Sequence, residues 1–80
     1  MPNMILYYFE PCPFCQKVLL VIDELHLDEK IEFRDTLEQP QFRDELVQLN
    51  GKTQVPCLVI NGEPMLESDD IIAYLKENYG

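Results

Sequence analysis

Met4-Ile5-Leu6-Tyr7-Tyr8-Phe9-Glu10-Pro11-Cys12-Pro13-Phe14-Cys15 sets an apolar run, a short break and a cysteine pair in immediate succession. The run from Met4 to Phe9 reads as a strand buried on both faces, and Glu10-Pro11 as the loop that ends it. Beyond the loop, Phe14, Val18, Val21, Ile22 and Leu25 recur at helical spacing, which predicts an amphipathic helix from Pro13 to about Leu27. A Cys-x-x-Cys pair where a strand meets a helix, in a short chain of βαβ pattern, is the arrangement of a dithiol redox site.

The chemistry follows from that placement. Pro13 suits the first helical position, because its φ is preset and its missing N–H has no partner to lose there. Cys12 then falls at the N-cap, where a thiolate is expected to accept hydrogen bonds from the N–H groups of Phe14 and Cys15 and to feel the positive end of the helix dipole. Such cysteines ionise at about pH 3.5–7.5 rather than about 8.5, so Cys12 is the expected attacking sulfur. Cys15, one turn further in, is the shielded resolving thiol. A closed zinc or iron–sulfur site needs four ligands, and only Cys57 and His26 stand beside the pair, so no metal is expected. A cluster shared between two chains, each lending one cysteine and a small thiol, stays open as an alternative.

The 80 residues, 46% of them hydrophobic, suffice for one small domain spanning 1–80. No apolar run approaches the roughly 20 residues of a membrane span, and no basic and apolar leader is evident, so a cytoplasmic location and no membrane partner are expected. Three cysteines then read as reactive thiols, not a disulfide framework. Fifteen acidic against six basic residues give a formal charge of −9, which repels a nucleic-acid backbone. An anionic small ligand would depend on Lys17, Arg34, Arg43 or Lys52.

Lys30 to Asp35 alternates as a half-buried edge strand, with Ile31 and Phe33 on one face and Glu32 and Arg34 on the other; it returns parallel to the first strand. Pro40 opens a second helix with Phe42, Leu46 and Leu49 on its core side, ended by Asn50-Gly51. Leu58-Val59-Ile60 and the run from Pro64 to Leu66 form a hairpin about Asn61-Gly62. Ser68 is the expected N-cap of a last helix that carries Asp69 and Asp70 in its first turn and buries Ile71, Ile72 and Leu75. His26 reads as a surface residue near the first helix's C-terminal end, and Cys57 as a small buried apolar residue.

Three elements at these separations, Cys12-Pro13-Phe14-Cys15, Gln54-Val55-Pro56 and Ser68-Asp69-Asp70, resemble the glutaredoxin family over essentially the whole chain. The resemblance implies an α/β thioredoxin-like fold, a four-stranded mixed sheet with three helices in βαβαββα order. It implies a glutathione-dependent thiol–disulfide oxidoreductase that reduces protein disulfides and glutathione mixed disulfides, with Cys12 and Cys15 catalytic. Glutathione is then co-substrate, disulfide-containing or glutathionylated proteins are the partners, no cofactor is bound, and the chain is a monomer. It also implies a cis bond between Val55 and Pro56, with the Val55 backbone facing the cysteinyl part of glutathione. Phe14, Gln54, Val55, Pro56, Glu67, Ser68 and Asp69 are the implied glutathione contacts, with free N–H groups at Ser68 for the γ-glutamyl carboxylate and Asp69 for its ammonium.

The chain departs from that pattern. Pro11 stands where many glutaredoxins have a basic residue, which leaves the glycyl carboxylate to Lys52 or Arg43, and Phe14 stands where they have tyrosine. Gln54, and Glu67-Ser68 followed by Ile71, Ile72, Tyr74 and Leu75, are similar instead to the N-terminal domain of glutathione transferases. The helical second domain of those enzymes has no counterpart in these residues, which sets the expectation against transferase chemistry. The remaining alternatives are a glutathione-ligated iron–sulfur module and a thioredoxin-like electron carrier indifferent to glutathione.

Overall fold

The computed structural model describes residues 4–80. Its elements run β1 (Met4–Tyr8), α1 (Pro13–Glu24), β2 (Ile31–Asp35), α2 (Pro40–Asn50), β3 (Cys57–Ile60), β4 (Glu63–Met65) and α3 (Ser68–Tyr79). The sheet order is β2-β1-β3-β4, with β1 parallel to β2 and antiparallel to β3, and β4 antiparallel to β3. This is the mixed four-stranded sheet and the βαβαββα order expected from the sequence.

Alternation along β1 and β3 divides the interior in two. Met4 and Leu6 of β1 and Leu58 of β3 meet Val18, Val21 and Ile22 of α1 and Ile71 and Leu75 of α3 on one face. Tyr7, Cys57 and Val59 turn to the opposite face, where α2 supplies Leu46. The central strand is thus covered on both sides, which is why Met4–Phe9 shows no polar alternation. Burial of the larger core draws on two helices. Its counterpart draws on one helix, in which Leu46 is the fully buried side chain among the described residues, and its truncation to Ala would cost about 2–5 kcal/mol.

Several boundaries differ from the sequence reading for identifiable reasons. Helix α1 stops at Glu24, because His26 adopts a left-handed backbone (φ 56°) and the N–H groups of His26 and Leu27 bond back to the carbonyls of Asp23 and Ile22. That is a Schellman closure with His where Gly is usual, and it lets Leu27 fold under into the core. Leu49 is 39% exposed, contrary to the expected core side of α2, and Phe42 is only partly buried. Ser68 lies inside α3, and Glu67 is the N-cap.

Helix α2 has a polar tether as well. The Tyr7 hydroxyl donates to Glu45 Oε1 (3.1 Å), and Arg34 Nη1 donates to the same oxygen (2.6 Å) and to the Tyr7 hydroxyl (3.0 Å). The Arg34 guanidinium also lies over the Tyr7 and Phe42 rings at 5.7 and 5.4 Å. Gly51, at φ 76°, ends α2 and turns the chain toward β3. Asn61 and Gly62, at φ 53° and 84°, make the two-residue turn between β3 and β4.

Candidate active site

The loop after β1 is short and tied. The Phe9 carbonyl accepts the Cys12 N–H (3.3 Å), the Gln16 side-chain amide donates to the Glu10 carbonyl, and the Cys12 carbonyl accepts the Gln16 N–H (3.0 Å) as the first bond of α1. Cys12 is the N-cap and Pro13 the first helical residue, so the sequence placed this helix start correctly.

The two cysteines are reduced and unequal. Cys12 retains 8% of its surface exposure and Cys15 none. The Cys15 thiol is pushed up to about 12 by burial, with a further rise from its hydrogen bond to Cys12, against the opposing pull of the Phe9 backbone N–H. Cys15 therefore keeps its proton at neutral pH and offers it to the Cys12 sulfur. The expected capping bonds from the helix N–H groups to Cys12 are not made; the neighbouring thiol takes their place.

Beside this turn lies a cleft of about 370 Å³, within the range of roughly 300–1,000 Å³ for small-ligand sites. Phe14 of α1 forms one wall. Gln54, Val55 and Pro56 form the second, and Leu66, Glu67, Ser68 and Asp69 the third. The Val55–Pro56 bond is cis, and the Gln54 side-chain amide reaches the Leu66 carbonyl (3.4 Å), linking two of the walls.

All seven residues singled out around the cysteine pair thus meet in one concavity. Leu66, which the sequence reading omitted, joins them; its place directly after β4 and before Glu67 was the available signal. No side chain caps α3, so the first-turn N–H groups at Ser68, Asp69 and Asp70 have no side-chain acceptor from the N-cap. Phe14 is not the core residue its spacing suggested. It is 56% exposed, with Lys17 Nζ 5.6 Å from its ring centre, and so presents an apolar face to the cleft.

The remaining candidates lie elsewhere. Arg34 is committed to Glu32, Glu45 and Tyr7 on the α2 side of the sheet. Arg43 lines a different cleft. Cys57 is fully buried beneath the cis turn, its thiol pushed up to about 11 by burial. Among the described residues, no three His, Cys, Asp or Glu side chains converge as metal ligands.

Residues 6–80 match the family model described as glutathione S-transferase, N-terminal domain. Glutathione S-transferase D7 of Drosophila melanogaster is 36% identical over the whole of this chain, which spans 36% of that protein. Disulfide-bond oxidoreductase YfcG of Escherichia coli is 33% identical over 96% of the chain and 39% of its own length. A glutathione transferase homologue from Drosophila mojavensis, solved with bound glutathione, superposes with a TM-score of 0.76 at 28% identity, over all of this chain and 36% of that one. The chain thus spans little more than a third of these relatives.

Proposed function

The chain belongs to the glutathione S-transferase N-terminal domain family, and from that premise we propose that it is a glutathione-dependent thiol–disulfide oxidoreductase. The observation that carries this reading is the pair of unequal thiols at the start of α1, set beside a cleft of tripeptide size. A relative named for disulfide-bond oxidoreduction and a homologue solved with glutathione support the chemistry and the ligand.

Glutathione lies in the cleft with its cysteinyl backbone along Val55 and its γ-glutamyl carboxylate at the uncapped N–H groups of α3. Asp69 takes the ammonium, and Lys52 or Arg43 takes the glycyl carboxylate. Cys12 attacks the glutathione sulfur of a mixed disulfide. The bond to the departing thiol breaks, a Cys12–glutathione disulfide forms, and the departing sulfur leaves with the electron pair and takes a proton from water. A second glutathione thiolate then attacks the bound glutathione sulfur, which releases glutathione disulfide and restores Cys12. Before reaction, the Cys15 thiol donates to the Cys12 sulfur. For protein disulfides Cys15 attacks the Cys12 sulfur of the mixed disulfide, gives up its own proton as it does so, and releases the substrate thiol.

The family match favours a second reading, conjugation of glutathione to an electrophile. One pair of assays separates the two: glutathione-coupled reduction of a small mixed disulfide, and conjugation of chlorodinitrobenzene. Reduction without conjugation supports the oxidoreductase. Conjugation that survives Cys12→Ser, without reduction, overturns it.

A further inference from the structure

The β2-β1-β3-β4 order leaves β2 and β4 as the two edges of the sheet, and the edges are unlike. β4 has three residues with Pro64 at its centre, a short edge that lacks one N–H. β2, Ile31-Glu32-Phe33-Arg34-Asp35, has five residues and neither Pro nor Gly. Its open side follows from the ladder. The Thr36 N–H donates to the Tyr8 carbonyl (2.8 Å), and Tyr8 pairs in parallel with Asp35. The main-chain groups of successive strand residues point to alternate sides, so Glu32 and Arg34, like Thr36, turn theirs to β1, whereas Ile31, Phe33 and Asp35 turn theirs outward. Among the described residues, the one turn or loop bond that reaches these outward groups runs from the Gln39 N–H to the Asp35 carbonyl (3.2 Å).

The side chains of β2 make it its own antiparallel complement. Glu32 and Arg34 lie on the face of Tyr7 and α2. Phe33 lies on the α1 face, edge-on to Tyr8 at 6.0 Å, and stays 37% exposed. A two-fold axis through a pair of Phe33 residues sets Glu32 opposite Arg34 of the second copy, and Arg34 opposite Glu32. The two Phe33 residues then exchange both N–H···O bonds, and each Glu32–Arg34 pair is a non-hydrogen-bonded one, with Cα atoms about 4.5 Å apart and side chains close. Arg34 has donors to give. Its Nε bonds Glu32 and its Nη1 bonds Glu45 and Tyr7, which leaves the two N–H groups of Nη2 among the described contacts. A parallel, in-register pairing would oppose like charges instead.

We propose that β2 pairs antiparallel with β2 of a second copy of this chain, centred on Phe33, so that two four-stranded sheets join into one. The occupant of the open edge is thus the chain itself, in place of the monomer that the glutaredoxin resemblance implies. Two five-residue strands form a small interface, and two copies of charge −9 repel at long range. The dimer is therefore weak, and it forms where salt screens the distant charges.

Sedimentation equilibrium and amide hydrogen exchange, each run from about 10 μM to about 1 mM chain in about 0.15 M salt, test the pairing. The dimer grows over that range. The Phe33 and Asp35 amides exchange about tenfold more slowly at the upper end, while those of Glu32 and Arg34, already bonded to β1, keep their rates. Glu32→Lys sets Lys against Arg34 of the second copy and raises the dissociation constant about tenfold. Phe33→Pro removes the central outward donor, leaves the bonds to β1 whole and abolishes association. A chain that stays monomeric at about 1 mM overturns the proposal. So does a dimer in which the Phe33 amide exchanges as fast as in the monomer, since another surface then joins the copies, and so does a Glu32→Lys chain that dimerises as tightly as the wild type.

Discussion

Replacing Arg34 with Met tests how α2, and through it the glutathione wall, is held to the sheet. The substitution removes donation from Nη1 to Glu45 (2.6 Å) and to Tyr7 (3.0 Å), from Nε to Glu32 (2.5 Å), and the stacking over Tyr7 and Phe42, while Met keeps much of the apolar stem. The Arg34 and Glu45 side chains are 23% and 44% exposed, so Glu45 returns to water when its partner goes. A screened pair of this kind contributes about 0.2–1 kcal/mol and a cation over an aromatic ring about 0.5–1 kcal/mol, for an expected loss of about 1–2 kcal/mol. The loss falls on α2, because Leu46 is the only fully buried side chain among its described residues while Val47 and Leu49 are exposed. Amide hydrogen exchange under conditions of local opening should therefore quicken roughly tenfold across α2, 1.4 kcal/mol being one decade, and remain unchanged in β1 and α1. As α2 leads through Gly51 into residues 52–56, the KM for glutathione should rise while alkylation of Cys12 by a neutral reagent keeps its rate. Equal acceleration in α1 and α2, or none in either, refutes the tether.

Three further outcomes follow from the site. Cys12→Ser should abolish thiol exchange, whereas Cys15→Ser should retain reduction of glutathione mixed disulfides and lose that of protein disulfides; equal loss in both, in the same coupled assay, excludes the monothiol route. Asp69→Lys should lower glutathione-dependent turnover about tenfold or more, the worth of one charge-assisted contact, with Cys12 alkylation unaltered; wild-type turnover would reduce Asp69 to a dipole residue of α3. The pH dependence of stability has a fixed sign. Burial raises the Cys15 and Cys57 thiols from 9.0 to about 12 and about 11, so the unfolded chain releases these protons first, and their stabilisation, whole below about pH 8.5, is lost as the pH climbs through 11 and 12. Denaturant titrations from pH 8 to 11 should show that decline, and Cys57→Ala should flatten it.

The fold was legible because β1 and α1 announce themselves by period. A six-residue apolar run fits a two-faced strand, and Pro13 after Cys12 suits a helix start. The candidate cleft was legible only through resemblance: nothing in the spacing of Phe14, Gln54 and Ser68 requires that they meet, since the sheet order that brings them together is a tertiary property. Errors gathered where local signals compete. Ser68 has the chemistry of an N-cap, but the chain enters α3 one residue earlier, at Glu67. Phe14 fits the apolar period of α1, yet at the second helical position it precedes the first turn that α3 covers, and it stays open to solvent. His26 gave no sign of a left-handed C-terminal residue, because Gly is the usual marker.

The tether of α2 escaped sequence reading for a related reason. Tyr7 lies on β1, Arg34 on β2 and Glu45 on α2, and Arg34 looked like the solvent side of an edge strand. The parallel pairing of β1 with β2 puts Tyr7 directly beside Arg34, and α2 then closes over both. This makes the polar contact a consequence of the topology that also builds the redox turn: the same strand that delivers Cys12 to the start of α1 carries, three residues before its loop, the hydroxyl to which α2 is anchored. A perturbation on the α2 side therefore reaches the glutathione cleft by moving its wall, whereas one at Cys15 reaches it by removing the thiol that donates to the Cys12 sulfur. The KM response to Arg34→Met and the rate response to Cys15→Ser should accordingly be separable, and the double variant should show both effects in full, because the two side chains lie on opposite sides of the sheet and share no partner.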